Sequence, residues 1–106
     1  MIIKGINEIP WEKTNYGKRK TILNLDLEMP LILRYVVVEG EVEKHSHPNG
    51  EVIFVLRGEG IIQFKEGEKP IKPGDTIIIP PNIIQGIKRT SKEDLEMIAI
   101  LPEKKT

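Results

Sequence analysis

The sequence predicts an all-β protein, and three observations support this fold class. Apolar residues occur in short runs that Gly and Pro interrupt about every ten residues, a spacing typical of β-sandwiches and barrels. Ile and Val dominate these runs, and β-branched side chains favour a pleated, half-buried surface. No stretch shows helical periodicity beyond a single turn at 91–95.

The first thirty residues are the least regular part of the chain. Residues 2–9 and 21–27 each show some alternation of apolar and polar side chains, so we expect them to form outer strands. Residues 31–39 are almost continuously apolar and predict a buried strand.

The rest of the chain predicts strands separated by turns of defined chemistry. Residues 66–68 form a tight turn, Pro73-Gly74-Asp75 places Pro and Gly at favoured turn positions, and Pro80-Pro81-Asn82 ends a strand. The predicted strands are 51–56, 60–65, 69–72, 76–79, 83–89 and 95–100. The charged tail 103–106 is expected to fray.

Length and composition limit the function classes. The 106 residues suit one domain, and 16 basic against 16 acidic residues argue against binding that depends on phosphate neutralisation. The absence of Cys excludes disulfides, thiolate catalysis and Fe–S clusters.

No apolar run is long enough for a signal peptide or a membrane span, so we expect a soluble cytoplasmic protein with no membrane or nucleic-acid partner. Frequent Ile, Lys and Glu together with 30% charged residues resemble the composition of hyperthermophile proteins.

Two segments are apolar on both faces, 52–56 and 77–79. One face of each must fill the interior, so the other face needs a second cover, which is either another sheet or a partner subunit. In a chain of this size we expect that cover to be a second copy, which predicts a homodimer.

The two histidines of the chain lie in one polar segment, as His45-Ser46-His47. On an extended chain this spacing puts both imidazoles on the same face. Glu51 follows a Pro-Asn-Gly turn, which can fold its carboxylate back toward the two rings. Two His and one carboxylate on one surface hold a divalent metal and leave positions open. The alternative is that these are ordinary surface histidines.

This segment resembles the first motif of the cupin superfamily, which here comprises Gly40, His45, His47, Glu51 and Gly58 (residues 40–58). The second motif, at 67–86, matches in Pro73-Gly74-Asp75 and Pro80-Pro81, but its His position is occupied by Gln85. The resemblance implies one cupin domain over 1–106, a double-stranded β-helix or jelly-roll-like barrel with a metal at its mouth.

By that resemblance the metal ligands are His45, His47, Glu51 and Gln85. An amide oxygen is a harder, weaker ligand than imidazole, which favours Mn or Fe over Ni, Cu or Zn. Two alternatives remain open: Gln85 orients a water or a substrate beside the metal, or the barrel binds its ligand without metal.

The function implied is a metal-dependent enzyme of oxygenase type that acts on a small chelating compound, with Glu51 as a candidate catalytic base. The alternative is a non-catalytic module that binds a metal, a sugar or another metabolite.

Arg34 and Tyr35 are the polar members of an otherwise apolar strand. We expect Arg34 to extend to the rim and Tyr35 to pack in the core. If either pointed into the barrel instead, Arg34 could pair with a substrate carboxylate and Tyr35 could donate a hydrogen bond. Trp11 is expected on the outer surface or in a dimer contact.

Overall fold

The computed structural model describes residues 1–23 and 30–103. Within these residues it contains a 3-10 helix at Ile6–Glu8 and ten strands. The strands are β1 (Glu12–Lys13), β2 (Gly17–Leu23), β3 (Leu31–Val38), β4 (Glu41–His45), β5 (Glu51–Arg57), β6 (Gly60–Phe64), β7 (Gly67–Ile71), β8 (Thr76–Ile79), β9 (Gln85–Arg89) and β10 (Leu95–Pro102). The predicted all-β class is confirmed.

The strands form two antiparallel sheets that enclose one apolar core. The larger sheet has six strands in the order β1-β2-β3-β10-β5-β8, and the smaller has four in the order β4-β9-β6-β7. Strand β10 shows why the sequence adopts this layout, because its burial alternates along its length: Leu95, Met97, Ala99 and Leu101 face inward. We call the face that these four residues share the inner face of the six-stranded sheet.

The predicted strand at 2–9 is wrong, because a 3-10 helix lies within it. The Glu8 N–H donates to the Gly5 carbonyl at 3.0 Å, and the Gly5 N–H donates to Glu8 Oε2 at 3.2 Å. These local hydrogen bonds satisfy backbone groups that a strand would have to pair with a neighbour. The strand predicted at 21–27 is observed as Gly17–Leu23; its part at 24–27 lies outside the described residues, as does the tail at 104–106.

Most other strand predictions agree with the structure to within two residues. One shift of two residues is at 83–89, where β9 begins only at Gln85. The chain before it is held in a turn: Asn82 has a φ of 64°, and its N–H donates to the His47 carbonyl at 2.9 Å. The turn predicted at 66–68 lies at 65–66. Residues 91–93 form bends and not a helical turn, and Leu95 already belongs to β10.

The outer face of the six-stranded sheet has an apolar part, as the sequence predicts, beside the charged Lys20 and Glu96. Two rows of paired residues cross it. The first row is Ile78, Val52, Ile100 and Leu33, and the second is Phe54, Ile98 and Tyr35. Ile78 is 75% exposed and Phe54 is 42% exposed, so water covers large side chains at one end of this face.

Among the described residues, no helix has the length and apolar character needed to cross a membrane.

Candidate metal centre

His45, His47 and Glu51, which we call the triad, come together at the junction of β4 and β5. His45 ends β4, Glu51 begins β5, and a turn of tightly packed backbone joins the two strands. Gly50 in that turn has a φ of 81°, and a Cβ there would lie 2.7 Å from the Ile79 carbonyl oxygen. Only glycine fits this conformation and this approach, so the turn that returns Glu51 to the histidines depends on Gly50.

The ligand atoms of the triad all lie within 4.8 Å of one another. His45 Nε2 and His47 Nε2 are 3.1 Å apart, and His47 Nε2 is 3.7 Å from Glu51 Oε1. The two rings meet edge to face, with an interplanar angle of 87° and centroids 4.8 Å apart. Both nitrogens and the carboxylate therefore point toward one common volume, as the His-x-His spacing predicts.

A backbone hydrogen bond fixes the tautomer of His45. Its Nδ1 lies 2.8 Å from the Glu43 carbonyl oxygen, which can only accept, so Nδ1 carries the proton. The Nε2 atom of neutral His45 therefore presents a lone pair to the other two triad residues. This arrangement, with one ring nitrogen held by a backbone carbonyl and the other free, is usual for metal-ligating histidines.

Gln85 lies across the β4–β9 pair from His45, as its register partner. The side chain is 1% exposed, and its Nε2 is 3.5 Å from His45 Nε2. Its Oε1 is buried and has no hydrogen-bond partner within the part of the chain that the structure describes. A buried amide oxygen without a partner costs about 1–3 kcal/mol, so an ion or a water beside it would relieve this cost.

In the absence of a metal, burial disfavours the charged forms of Glu51 and His47. Glu51 is 9% exposed, and this desolvation raises the pKa of its carboxyl group. Desolvation also lowers the pKa of His47, and the nearby His45 and Arg34 add to this lowering. Both shifts favour the neutral forms of Glu51 and His47.

These residues fit a divalent metal ion. Two donors bound about 2.1 Å from one ion at angles of 90–109° lie about 3.0–3.4 Å apart, close to the observed separation of the two Nε2 atoms. A cation would also compensate the buried charge of Glu51 and could accept the unpartnered oxygen of Gln85 after an amide flip. Two His and one carboxylate are the donor set of sites with open positions for a substrate.

The triad lines a cavity of about 330 Å³ between the sheets. Most of its wall is apolar, formed by residues such as Val36, Ile53 and Met97. Gln85 also lines this cavity, and so do Arg19 and Arg34. The chamber therefore combines an apolar wall with a few convergent polar groups, as small-molecule sites commonly do.

The structure places Arg34 in this cavity and not at the rim, where we expected it. Arg34 pairs in register with Ala99, an inner-face residue, and its buried Nε has no hydrogen-bond partner among the described residues. Its one signal in the sequence was a charged side chain within an apolar strand. Sequence reasoning missed Arg19, whose Nε donates to Glu12 Oε1 at 3.1 Å, because β2 lies outside both motifs and carried no local signal.

Tyr35 and Trp11 belong to the other side of the sheet. The Tyr35 hydroxyl hydrogen-bonds the Glu96 carboxylate, which raises the pKa of Tyr35 to about 12. Trp11 packs edge to face on Tyr35 at 5.9 Å, beneath the ammonium groups of Lys18 and Lys20. Trp11 thus lies on the outer surface, as predicted, whereas Tyr35 is half-buried there and not in the core.

Comparison with known proteins gives one family. A family model described as a cupin domain matches residues 33–101. Auxin-binding protein 1 from Arabidopsis thaliana is 29% identical over 117 residues, a match that covers 94% of this chain. The chain spans only 58% of the length of that relative.

Solved structures share the fold at lower sequence identity. The polyketide cyclase RemF from Streptomyces resistomycificus has a TM-score of 0.85 at 16% identity, covering 98% of this chain and 80% of its own. The hydroxypropylphosphonic acid epoxidase from S. wedmorenis has a TM-score of 0.82 at 20% identity, covering 95% of this chain and 59% of its own. At these identities the likeness concerns the barrel and not the reaction.

Proposed function

The chain belongs to the cupin domain family, and from this premise we propose that it is a metal-dependent enzyme acting on a small chelating compound. The single observation that supports this most is the triad itself: His45, His47 and Glu51 present their donor atoms within 4.8 Å, inside a cavity that can hold a small molecule. Two structural neighbours, a polyketide cyclase and an epoxidase, are enzymes by name.

The roles of the residues follow from their contacts. The triad holds the ion, with the His45 ring oriented by the Glu43 carbonyl. Gln85 completes the set through its amide oxygen or orients a water or substrate beside the ion. A divalent metal supplies Lewis-acid polarisation of a chelated substrate and, for Mn or Fe, redox chemistry with dioxygen. We therefore propose an oxygenase-type reaction, with Mn or Fe preferred over Ni, Cu and Zn.

Glu51 has a second role in this proposal. Its carboxyl is buried and its pKa is raised, so it can take up a proton more readily than an exposed glutamate. The Glu51 carboxylate would then accept a proton from a bound substrate and return it later. Ile53, Met97 and Ala99 form the apolar part of the cavity wall.

A reconstitution experiment tests the proposal. Protein purified without a His-tag is stripped with a chelator, reloaded with Mn(II), Fe(II), Ni(II), Cu(II) or Zn(II), and analysed for bound metal by mass spectrometry. We expect about one ion per chain, since residues 1–23 and 30–103 hold one triad. Oxygen uptake is then followed with catechols, 1,3-diketones and 2-oxo acids. Absence of stoichiometric metal after reloading rejects the enzyme proposal.

A second candidate function is a binding module without turnover. It is favoured by the similarity to auxin-binding protein 1, a protein named for ligand binding, and by a cavity whose wall is mostly apolar. The same experiment separates the two functions: a metal-loaded protein that binds chelating compounds but never consumes oxygen or converts them is the binding module.

We further propose that two copies pack through the outer face of the six-stranded sheet. The two rows of paired apolar residues there, which we call the outer rows, run across β8, β5, β10 and β3 without a charged member. Sheets with such faces pack about 10 Å apart. A two-fold axis would put the same rows on both partners, so a second copy covers this face with a surface of equal character.

A further inference from the structure

Arg34 is a charged side chain with an unused hydrogen-bonding group inside the cavity. On the inner face its register neighbours are Thr21 on β2 and Ala99 on β10. Beyond Ala99 the same row continues with Ile53. Neither an acid nor a carbonyl is paired with its buried Nε within the described residues.

The other arginine of the cavity differs in this respect. Arg19 forms an ion pair with Glu12 at 3.1 Å, so its charge is already compensated. Arg34 has no such ion pair with any described residue. Burial lowers the pKa of its guanidinium, and the positive charge of Arg19 adds to this effect. The two side chains therefore have separate tasks: Arg19 stabilises the β1–β2 edge, whereas Arg34 is free to meet a ligand.

Charge in the cavity also points to an anionic ligand. Glu51 is the buried carboxylate of the cavity wall among the described residues. If a divalent ion binds beside Glu51, its single negative charge stands against two positive charges on the ion and one on Arg34. Since burying unmatched charge is costly, an incoming ligand that brings negative charge is favoured over a neutral one.

We infer that the cavity takes a small organic acid, whose carboxylate accepts hydrogen bonds from Arg34 while a chelating group reaches the triad. A guanidinium offers parallel N–H donors that match a carboxylate, which gives orientation as well as affinity. Arg34 and the triad then hold two ends of one molecule and select chelators that carry an acid group. This inference rests on the proposed metal-dependent function and specifies its substrate class.

A matched pair of probes tests it. The monohydroxamate of succinic acid carries a metal-binding hydroxamate and a carboxylate on a flexible chain; butanohydroxamate has a methyl group in place of that carboxylate. Calorimetry with the metal-loaded protein measures both affinities. We expect the acid to bind at least about 10-fold more tightly, the size of one charge-assisted hydrogen bond. In Arg34→Met, a substitution of similar length, we expect this preference to vanish while butanohydroxamate binds as before.

Two further variants complete the test. Arg34→Lys keeps the charge without the planar donor pair and should retain only part of the preference. Arg57→Met removes a guanidinium that is 72% exposed and lies outside the cavity, so this variant should retain the full preference for the acid. Metal content and thermal unfolding are measured for each variant.

The outcomes separate this inference from the proposed function. Failure to bind metal rejects the proposed function. Three outcomes at normal metal content overturn only the role of Arg34. These are equal affinities for the two probes, no binding of the acid, and a preference that stays intact in Arg34→Met.

Discussion

Gln85 and His45 are register partners across the β4–β9 pair, although forty positions separate them in the chain, and Gln85 Nε2 lies 3.5 Å from His45 Nε2. The family motif places a His where this chain has Gln85. The amide is fully buried, and one of its two polar atoms has no hydrogen-bond partner among the described residues. If Gln85 is a ligand, as we propose, it is a weaker one than the imidazole of the family motif.

Gln85→His should tighten metal binding by about 10-fold or more and shift preference toward Zn, Ni and Cu, because imidazole is the softer and stronger donor. Competition with a fluorescent chelator measures the affinities. Gln85→Leu, which keeps the volume and removes the donor, should weaken binding. If Gln85→His weakens binding instead, the side chain faces away from the ion.

Replacing both His45 and His47 by Ala should abolish metal binding, with affinity reduced by at least about 100-fold, since two of the three triad donors are lost. Metal analysis after reconstitution measures this directly. The chain has no other histidine to serve as a control, so Glu43→Gln is used: Glu43 lines the same cavity but its side chain is not in the triad. Unchanged metal content in the double variant would show that the motif does not bind the ion.

Glu51→Gln should stabilise the metal-free protein by about 1–3 kcal/mol at pH 7, because it removes a carboxylate whose burial costs more than the nearby charge of Arg34 returns. The pKa of Glu51 is raised on folding, so the folded state holds a proton more firmly than the unfolded state. Wild-type stability is therefore retained below the ordinary value of 4.5 and falls as pH rises through the raised pKa.

Urea unfolding of the stripped proteins across pH 4–8 checks this sign. The advantage of Glu51→Gln should grow from acidic to neutral pH, and in the presence of metal the order should reverse because only wild type binds the ion. An advantage that is constant with pH would mean that the buried charge of Glu51 is not its cause.

Ile78→Lys and Phe54→Lys should each convert a dimer to a monomer, because both place a charge in the outer rows that we propose pack against a second copy. Sedimentation velocity measures the assembly state. Ile61→Lys is the matched control, since Ile61 lies outside these rows, on β6 of the other sheet. A wild-type protein that sediments as a monomer at high concentration rules out the dimer.

The local features of the site were predictable from sequence. The spacing of His45 and His47 fixes them on one side of an extended chain, and the Pro-Asn-Gly turn with a left-handed Gly50 returns Glu51 to them. Both are short-range effects of backbone geometry. The predicted strand at 2–9 failed for a related reason, because the hydrogen bonds between Gly5 and Glu8 form within three residues and do not alter the apolar pattern.

What the sequence by itself determined is the β class, the turns and the triad, all of which depend on neighbours within a few positions. The tertiary structure alone decided that Arg34 faces the cavity and Tyr35 the outer face. Strand β3 is apolar on both sides, so alternation shows that these two residues point in opposite directions but not which direction is inward. Pairing with β10 settles it, because Arg34 lies beside Ala99 and Tyr35 beside Ile98. Because both sides of β3 are apolar, the sequence did not show that Arg34, the residue that we infer selects the ligand, faces the cavity.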